Sequence, residues 1–238
     1  MLQVRKYRDL HIDKPEGVFE QMIHLVSVVN DIDPIEVQHW KGKDLILSFQ
    51  KAQQFTNISE RYAPSLIIGG LSLSLIDFKY LTLGQFIDLE AFVSEDYITN
   101  IHKIAATIYL HSEVSGMYEN TIEEYGKINI GYRAELIDEL PIQSIFGACN
   151  KYLIFRKNFF NSYELFSDPY ADVNLEDLSE EELEEYNAHL KEQEKQGDNQ
   201  WETVLNILAQ NDITKFESVL KQNLFLCFNQ ISYLKRNS

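Results

Sequence analysis

Residues 65–92 read SLIIGGLSLSLIDFKYLTLGQFIDLEAF, and this stretch decides the fold class. Two β-prone runs flank Gly69-Gly70. A glycine pair tolerates positive φ at both central positions, which suits a two-residue hairpin turn. In the second run Leu71, Leu73 and Leu75 alternate with Ser72 and Ser74, the pattern of a half-buried strand. The pattern then changes. Thr82-Leu83-Gly84-Gln85 is a capping box: the threonine hydroxyl can accept the amide three residues on, and the glutamine can reach back to the threonine amide. A helix is therefore expected from about residue 83, with Phe86, Leu89 and Val93 on its inner edge.

Helical periodicity governs the rest. Phe19, Met22, Ile23, Val26 and Val29 recur at three- and four-residue spacing and predict a helix over 16–29. Asp33-Pro34-Ile35-Glu36 reads as N-cap, N1 and N3 of a short helix that ends at Lys41-Gly42-Lys43. Asp44 is then read as the cap of another, with Leu45, Phe49 and Ala52 inward. Ile98, Ile101, Ile104, Ala105 and Ile108 define one over 97–110. A short helix is expected over 133–140. Pro141 is read as opening a long helix to about Phe166, with Ile142, Ile145, Phe146, Cys149, Leu153, Arg156 and Phe160 as its stripe. Near the C-terminus Thr214-Lys215-Phe216-Glu217 reads as a second capping box, followed by one broken or two consecutive helices. The alternation of Leu2 and Val4 predicts a small strand within 2–12, and the glycine-punctuated 111–131 reads as an irregular connection. The fold class expected is mainly α: several amphipathic helices, a small β-hairpin as a minor α+β element, and an acidic arm, extended or helical.

Four regions are expected: 1–60, a small helical and strand region; 61–166, a hairpin and helical core; 167–199, an acidic arm or linker; and 200–238, the C-terminal helices. The chain of 238 residues has 45% apolar residues and a net charge of −16. Ten of those negative charges fall between Asp168 and Asn199. Such a balance disfavours direct nucleic-acid binding, which needs clustered Lys and Arg. The acidic arm reads as a solvated helix or linker. The sharper alternative is a charged arm, with Glu180, Glu181 and Glu184 at its centre, that docks on Arg156 and Lys157 or on the basic residues 5–8.

Motifs for chemistry are missing from the sequence. It holds no GxxxxGK[ST], no GxGxxG and no HExxH. His111-Ser112-Glu113 matches half of a zinc-deaminase signature, but the PCxxC half is lacking. Cys149 and Cys227 sit among apolar neighbours and read as small buried hydrophobes, in keeping with a reducing compartment. No catalytic residue, cofactor site or metal site is expected. No apolar run approaches the ~20 residues of a membrane span, so a soluble intracellular protein without membrane contact is expected.

Three pieces carry a family resemblance. They are the hairpin with LTLGQFIDLE at 81–90; NIHKIAATIYL at 100–110 followed by ELPIQSIFGACNKYLIF at 139–155; and NDITKFESVLKQNLFLCFNQISYLKRN at 211–237. Their order resembles small proteins encoded among the virion-assembly genes of tailed bacteriophages, especially crAss-like and related phages of Bacteroidales. The resemblance implies a non-enzymatic, oligomeric neck, ring or tail component of the virion, assembled in the host cytoplasm from copies of itself and other phage structural proteins. The alternative is a cytoplasmic tail-assembly chaperone that binds a tape-measure-like client and is absent from the virion. An enzyme with an unrecognised site is the remaining reading. On the structural reading the acidic arm or the C-terminal helix, through Phe225 and Phe228, is expected to cross to another copy.

Overall fold

A computed structural model describes residues 2–12, 14–56, 58–115, 119–127, 129–163 and 200–236, with side-chain surroundings given for these except 112–122 and 200. The fold is mainly helical with a small antiparallel sheet. The chain divides into two compact units, one of Met1–Ile76 and Asp88–Leu153, the other of Asp77–Ile87 and the described part of Ile154–Ser238.

The first unit opens with helix α1 (Val4–Asp9) where a strand is expected from Leu2 and Val4. Only the residues before it behave as a strand. Gln3 bridges Pro141, Val4 N–H donates to Leu140 O (2.8 Å) and Ile142 N–H donates to Leu2 O (2.8 Å). The chain then coils, and Val4, Tyr7 and Leu10 become a buried face at three-residue spacing. Helices α2 (Val18–Asn30), α3 (Pro34–Gln38) and α4 (Gly42–Thr56) follow. Their shared core is Ile23, Val26, Val37 and Leu45, with Met22, Ile32, Trp40 and Phe49 packed around it. Asp33 caps α3 as expected, accepting from Ile35 N–H at 2.8 Å. Helix α4 starts two residues before Asp44, because the Lys41 carbonyl takes the Asp44 and Leu45 amides. Asp44 therefore lies in the first turn, where its charge still favours the helix N-terminus.

The hairpin forms as read. Strands β1 (Ser65–Ile68) and β2 (Leu71–Leu75) are joined by Gly69 and Gly70 at φ +52° and +79°. Leu66, Ile68 and Leu73 face the core. The sheet continues further than expected. Helix α6 (Ile101–Ile108) runs without a turn into β3 (Tyr109–Ser115), which pairs with β2, and β4 (Glu119–Ile122) pairs with β3, giving the order β1-β2-β3-β4. Part of the expected irregular connection is thus sheet, and the helix expected to reach residue 110 stops at Ile108. The polar sequence His111-Ser112-Glu113 joins a strand through main-chain pairing to β2 and β4, which side-chain periodicity cannot report.

Helix α7 (Ile130–Asp138) is capped by Asn129, whose side chain accepts from Tyr132 N–H at 3.0 Å. Pro141 does not open a long helix. It is extended, a short 3₁₀ turn spans Ile142–Ser144, and helix α8 (Phe146–Asn161) begins after Ile145. The buried stripe is Ile145, Ala148, Cys149, Tyr152 and Phe159, so Leu153, Arg156 and Phe160 of the expected stripe lie at its margin, only half-buried. Gly147 has no room for a side chain, because a Cβ there would overlap the Glu60 carbonyl. Across the unit the largest fully buried side chains include Leu73, Leu89, Ile101, Ile104, Ile108, Tyr109, Ile137 and Tyr152.

The second unit contains a 3₁₀ turn (Phe78–Tyr80), the first turn of helix α5 (Leu83–Asp96), the end of α8, and helices α9 (Gln200–Ala209), α10 (Phe216–Leu220) and α11 (Leu224–Arg236). The capping box forms both ways: Gln85 N–H donates to Thr82 Oγ1 (3.2 Å), and Thr82 N–H donates to Gln85 Oε1 (3.0 Å). Leu81–Leu83 pairs with Gln222–Leu224 through Leu83 N–H to Gln222 O (2.9 Å) and Leu224 N–H to Leu81 O (2.9 Å). The second expected box does not form. Asp212 instead caps a 3₁₀ turn (Ile213–Lys215), accepting from Thr214 N–H (3.1 Å) and Thr214 Oγ1 (2.6 Å), so Thr214 lies inside that turn and not at the N-cap of α10, which Lys215 precedes. An aromatic core closes the unit: the Phe159 ring lies 5.0 Å from both Phe86 and Phe228, and Phe86 lies 5.7 Å from Trp201. Such pairs add roughly 0.5–1.5 kcal/mol each beyond their area.

Candidate functional site

The first unit carries a groove between α1, α2 and α4 of about 390 Å³. Its floor is apolar, from Leu10, Leu25 and Phe49, and Val18 stands on the rim 77% exposed. Tyr7, His11, Lys14, Gln21 and His24 supply polar groups. The groove exists because α1 ends at Asp9: a further turn carries His11, four residues after Tyr7, onto the same side, with the rings 4.9 Å apart edge to face. Gln21 fastens the segment before α2 by donating to Pro15 O (2.9 Å) and Glu16 O (3.2 Å). Burial, then the nearby Lys14 charge, lowers the pKa of His11, while Asp96 opposes them. A neutral imidazole beside a lysine on an apolar floor can hold an apolar side chain and hydrogen-bond a polar group next to it.

Helices α2, α3 and α4 also present apolar side chains to solvent. Helix α4 buries Leu45 and Ala52 but exposes Ile46, Leu47 and Phe55, and α2 exposes Val18 and Phe19. Ile35 of α3 is also exposed. Phe19 was expected inside, yet it stands in the first turn of α2, ahead of the buried pair Ile23 and Val26.

A second node is buried and structural. Arg133 of α7 is 4% exposed. Its Nη1 donates to Ala106 O and Tyr109 O, both at 3.0 Å, and its Nη2 donates to Glu123 Oε2 at 2.6 Å. Glu123 Oε2 also accepts the His111 amide at 3.3 Å. Arg133 thereby closes carbonyls where α6 becomes β3, with its positive charge at the helix C-terminus, where a cation is favoured.

Other titratable groups are held by packing. His102 is 8% exposed and its Nδ1 has no hydrogen-bond partner. Burial, then the Arg8 and Lys103 charges, pushes its pKa down to about 3. Burial raises the Cys149 thiol strongly and the Cys227 thiol to about 11, so neither is a thiolate at neutral pH. Among the described residues no group of three or more His, Cys, Asp or Glu is placed to hold a metal ion.

Of the residues singled out in the sequence, Arg156 lies over the Phe160 ring at 4.9 Å and Lys157 is exposed. Phe225 is half-buried against Phe155 and Phe159, at 6.1 and 5.4 Å. Phe228 is fully buried, packed on Phe159, Tyr163 and Trp201 of its own unit. Glu180, Glu181 and Glu184 lie outside the described residues, as does the rest of the acidic stretch 172–199. The groove residues Tyr7, His11 and His24 were not legible as a set, because 2–12 reads as a strand, which holds residues four apart about 13 Å from each other rather than in ring contact. Among the described residues no helix is long and apolar enough to cross a membrane. Comparison with protein families, with curated proteins and with solved structures found no match.

Proposed function

We propose that this protein works through protein–protein contacts, as a non-enzymatic structural or assembly component of a tailed-phage particle that forms homo-oligomers. The observation that carries the contact reading is the set of large apolar side chains that α2, α3 and α4 expose to solvent, Val18 at the groove among them. Exposed apolar side chains in such number favour packing by another protein. The phage setting rests on the sequence resemblance alone. What that resemblance implies is a position in the neck, ring or tail of the virion.

The groove gives a second reading some support. An apolar floor with a polar wall suits an amphipathic client helix, as expected of a cytoplasmic tail-assembly chaperone that leaves before the particle is complete. Mass spectrometry of purified particles separates the two. Recovery of this chain at stoichiometric level supports the structural role. Its absence from particles, with co-purification of a long helical tail protein from infected cells, overturns that role in favour of the chaperone.

A further inference from the structure

Among the described residues strand β1 is the first strand of the sheet, with β2 on one side only. Its pairing parity is set by two observations. Ile68 and Leu71 flank the two-residue turn, and Leu75 N–H donates to Pro64 O at 3.0 Å. The main-chain groups of Pro64, Leu66 and Ile68 therefore point to β2, and those of Ser65 and Ile67 point away from it. Among the described residues, no hydrogen bond is made by the N–H or C=O of Ser65 or Ile67. The opening is bounded. Ala63 N–H donates to Ser144 O (2.9 Å), its carbonyl accepts from Tyr109 Oη (2.6 Å), and the other end closes in the glycine turn.

Natural sheets blunt an edge with lysine, proline or a bulge. Here Ile67 is 84% exposed on the unprotected stretch. Residues 62–76 are also the longest run of this chain without a charged side chain. In a molecule of net charge −16, the edge segment itself therefore sets no like charges together when two copies meet along it.

We propose that two copies pair along β1, antiparallel, about a two-fold axis at Leu66. Ser65 of each copy then faces Ile67 of the other and exchanges both main-chain hydrogen bonds, satisfying all four outward groups. The two four-stranded sheets become one of eight strands. The edge is self-complementary because its two outward residues are equidistant from Leu66, as an isologous contact requires. This inference rests on the contact reading above and names the surface that a second copy uses.

The test is sedimentation velocity of the full-length chain over a concentration series, with wild type beside Ile67→Pro. Proline deletes only an outward N–H, so the β1–β2 ladder is kept. Wild type is expected to show a reversible monomer–dimer equilibrium. Ile67→Pro, which removes one donor from each copy, is expected to weaken it by about tenfold or more. Should Ile67→Pro lose its native circular dichroism, Ile67→Lys, which sets two cations beside the axis, is read in its place with the same expectation. A wild-type dimer that both variants leave unchanged overturns the β1 contact while the wider contact reading stands. A wild type that stays monomeric throughout overturns the β1 contact and self-association together.

Discussion

Arg133 and Glu123 form an ion pair at 2.6 Å in which the arginine side chain is almost wholly buried, and the same guanidinium closes the carbonyls of Ala106 and Tyr109. The pair joins α7 to the point where α6 passes into β3. Removing one partner leaves buried charge and bare carbonyls. Arg133→Ala is expected to cost about 3–5 kcal/mol in urea unfolding. It should also speed hydrogen exchange at the His111 amide, which shares the Glu123 carboxylate. Unchanged stability would show that water replaces the guanidinium at no cost.

The Thr82–Gln85 box predicts a smaller loss. Thr82→Ala and Gln85→Ala are each expected to cost about 1 kcal/mol. The double variant should cost less than their sum, since the Thr82 hydroxyl also donates to Gln85 Oε1 (3.2 Å) and that bond is lost in either single variant. Additive losses would mean that the two hydrogen bonds act independently.

This helix start shows what was legible in the sequence. Thr82, Gln85, Gly69, Gly70 and Asp33 act through neighbours within three residues, so their roles are written locally. The β3 and β4 strands are not local. The start of β3 joins the sheet by main-chain pairing with β2, some 35 positions earlier in the case of Leu75 and Tyr109, and β4 joins only by pairing with β3. Thr214 misled because Asp212, two residues before it, is the cap, which puts Thr214 inside a 3₁₀ turn rather than at a helix N-cap. For the candidate site, spacing separates the inward Leu45 and Ala52 of α4 from its exposed Ile46, Leu47 and Phe55, but does not say which helices meet. The groove needed three helices that only the folded chain brings together.

Gly147 predicts intolerance of the smallest side chain. Gly147→Ala drives a Cβ into the Glu60 carbonyl and is expected to cost about 1–3 kcal/mol, read from the shift in thermal midpoint. A neutral result would require the segment before β1 to move aside freely.

His102 predicts a pH dependence. Its pKa is about 3 in the folded chain, against 6.5 for the free side chain. Between those values the unfolded state holds a proton that the folded state does not, so stability falls as pH drops from about 6.5 towards 3. The slope is about 1.4 kcal/mol per pH unit for that one proton. His102→Leu should flatten the profile of urea midpoint against pH in this window and leave it unchanged above pH 7. An identical acid limb in both proteins would show that His102 is protonated in place.

The central claim is that this chain acts through the surfaces it offers to copies of itself and to neighbouring proteins. Light scattering on the purified full-length chain, across a concentration range at moderate salt, tests it most directly. The account predicts a mass that rises above the 27.8 kDa of one chain as concentration increases. A mass fixed at one chain at every concentration would contradict it, the more so if the protein then bound a small ligand in the groove of α1, α2 and α4.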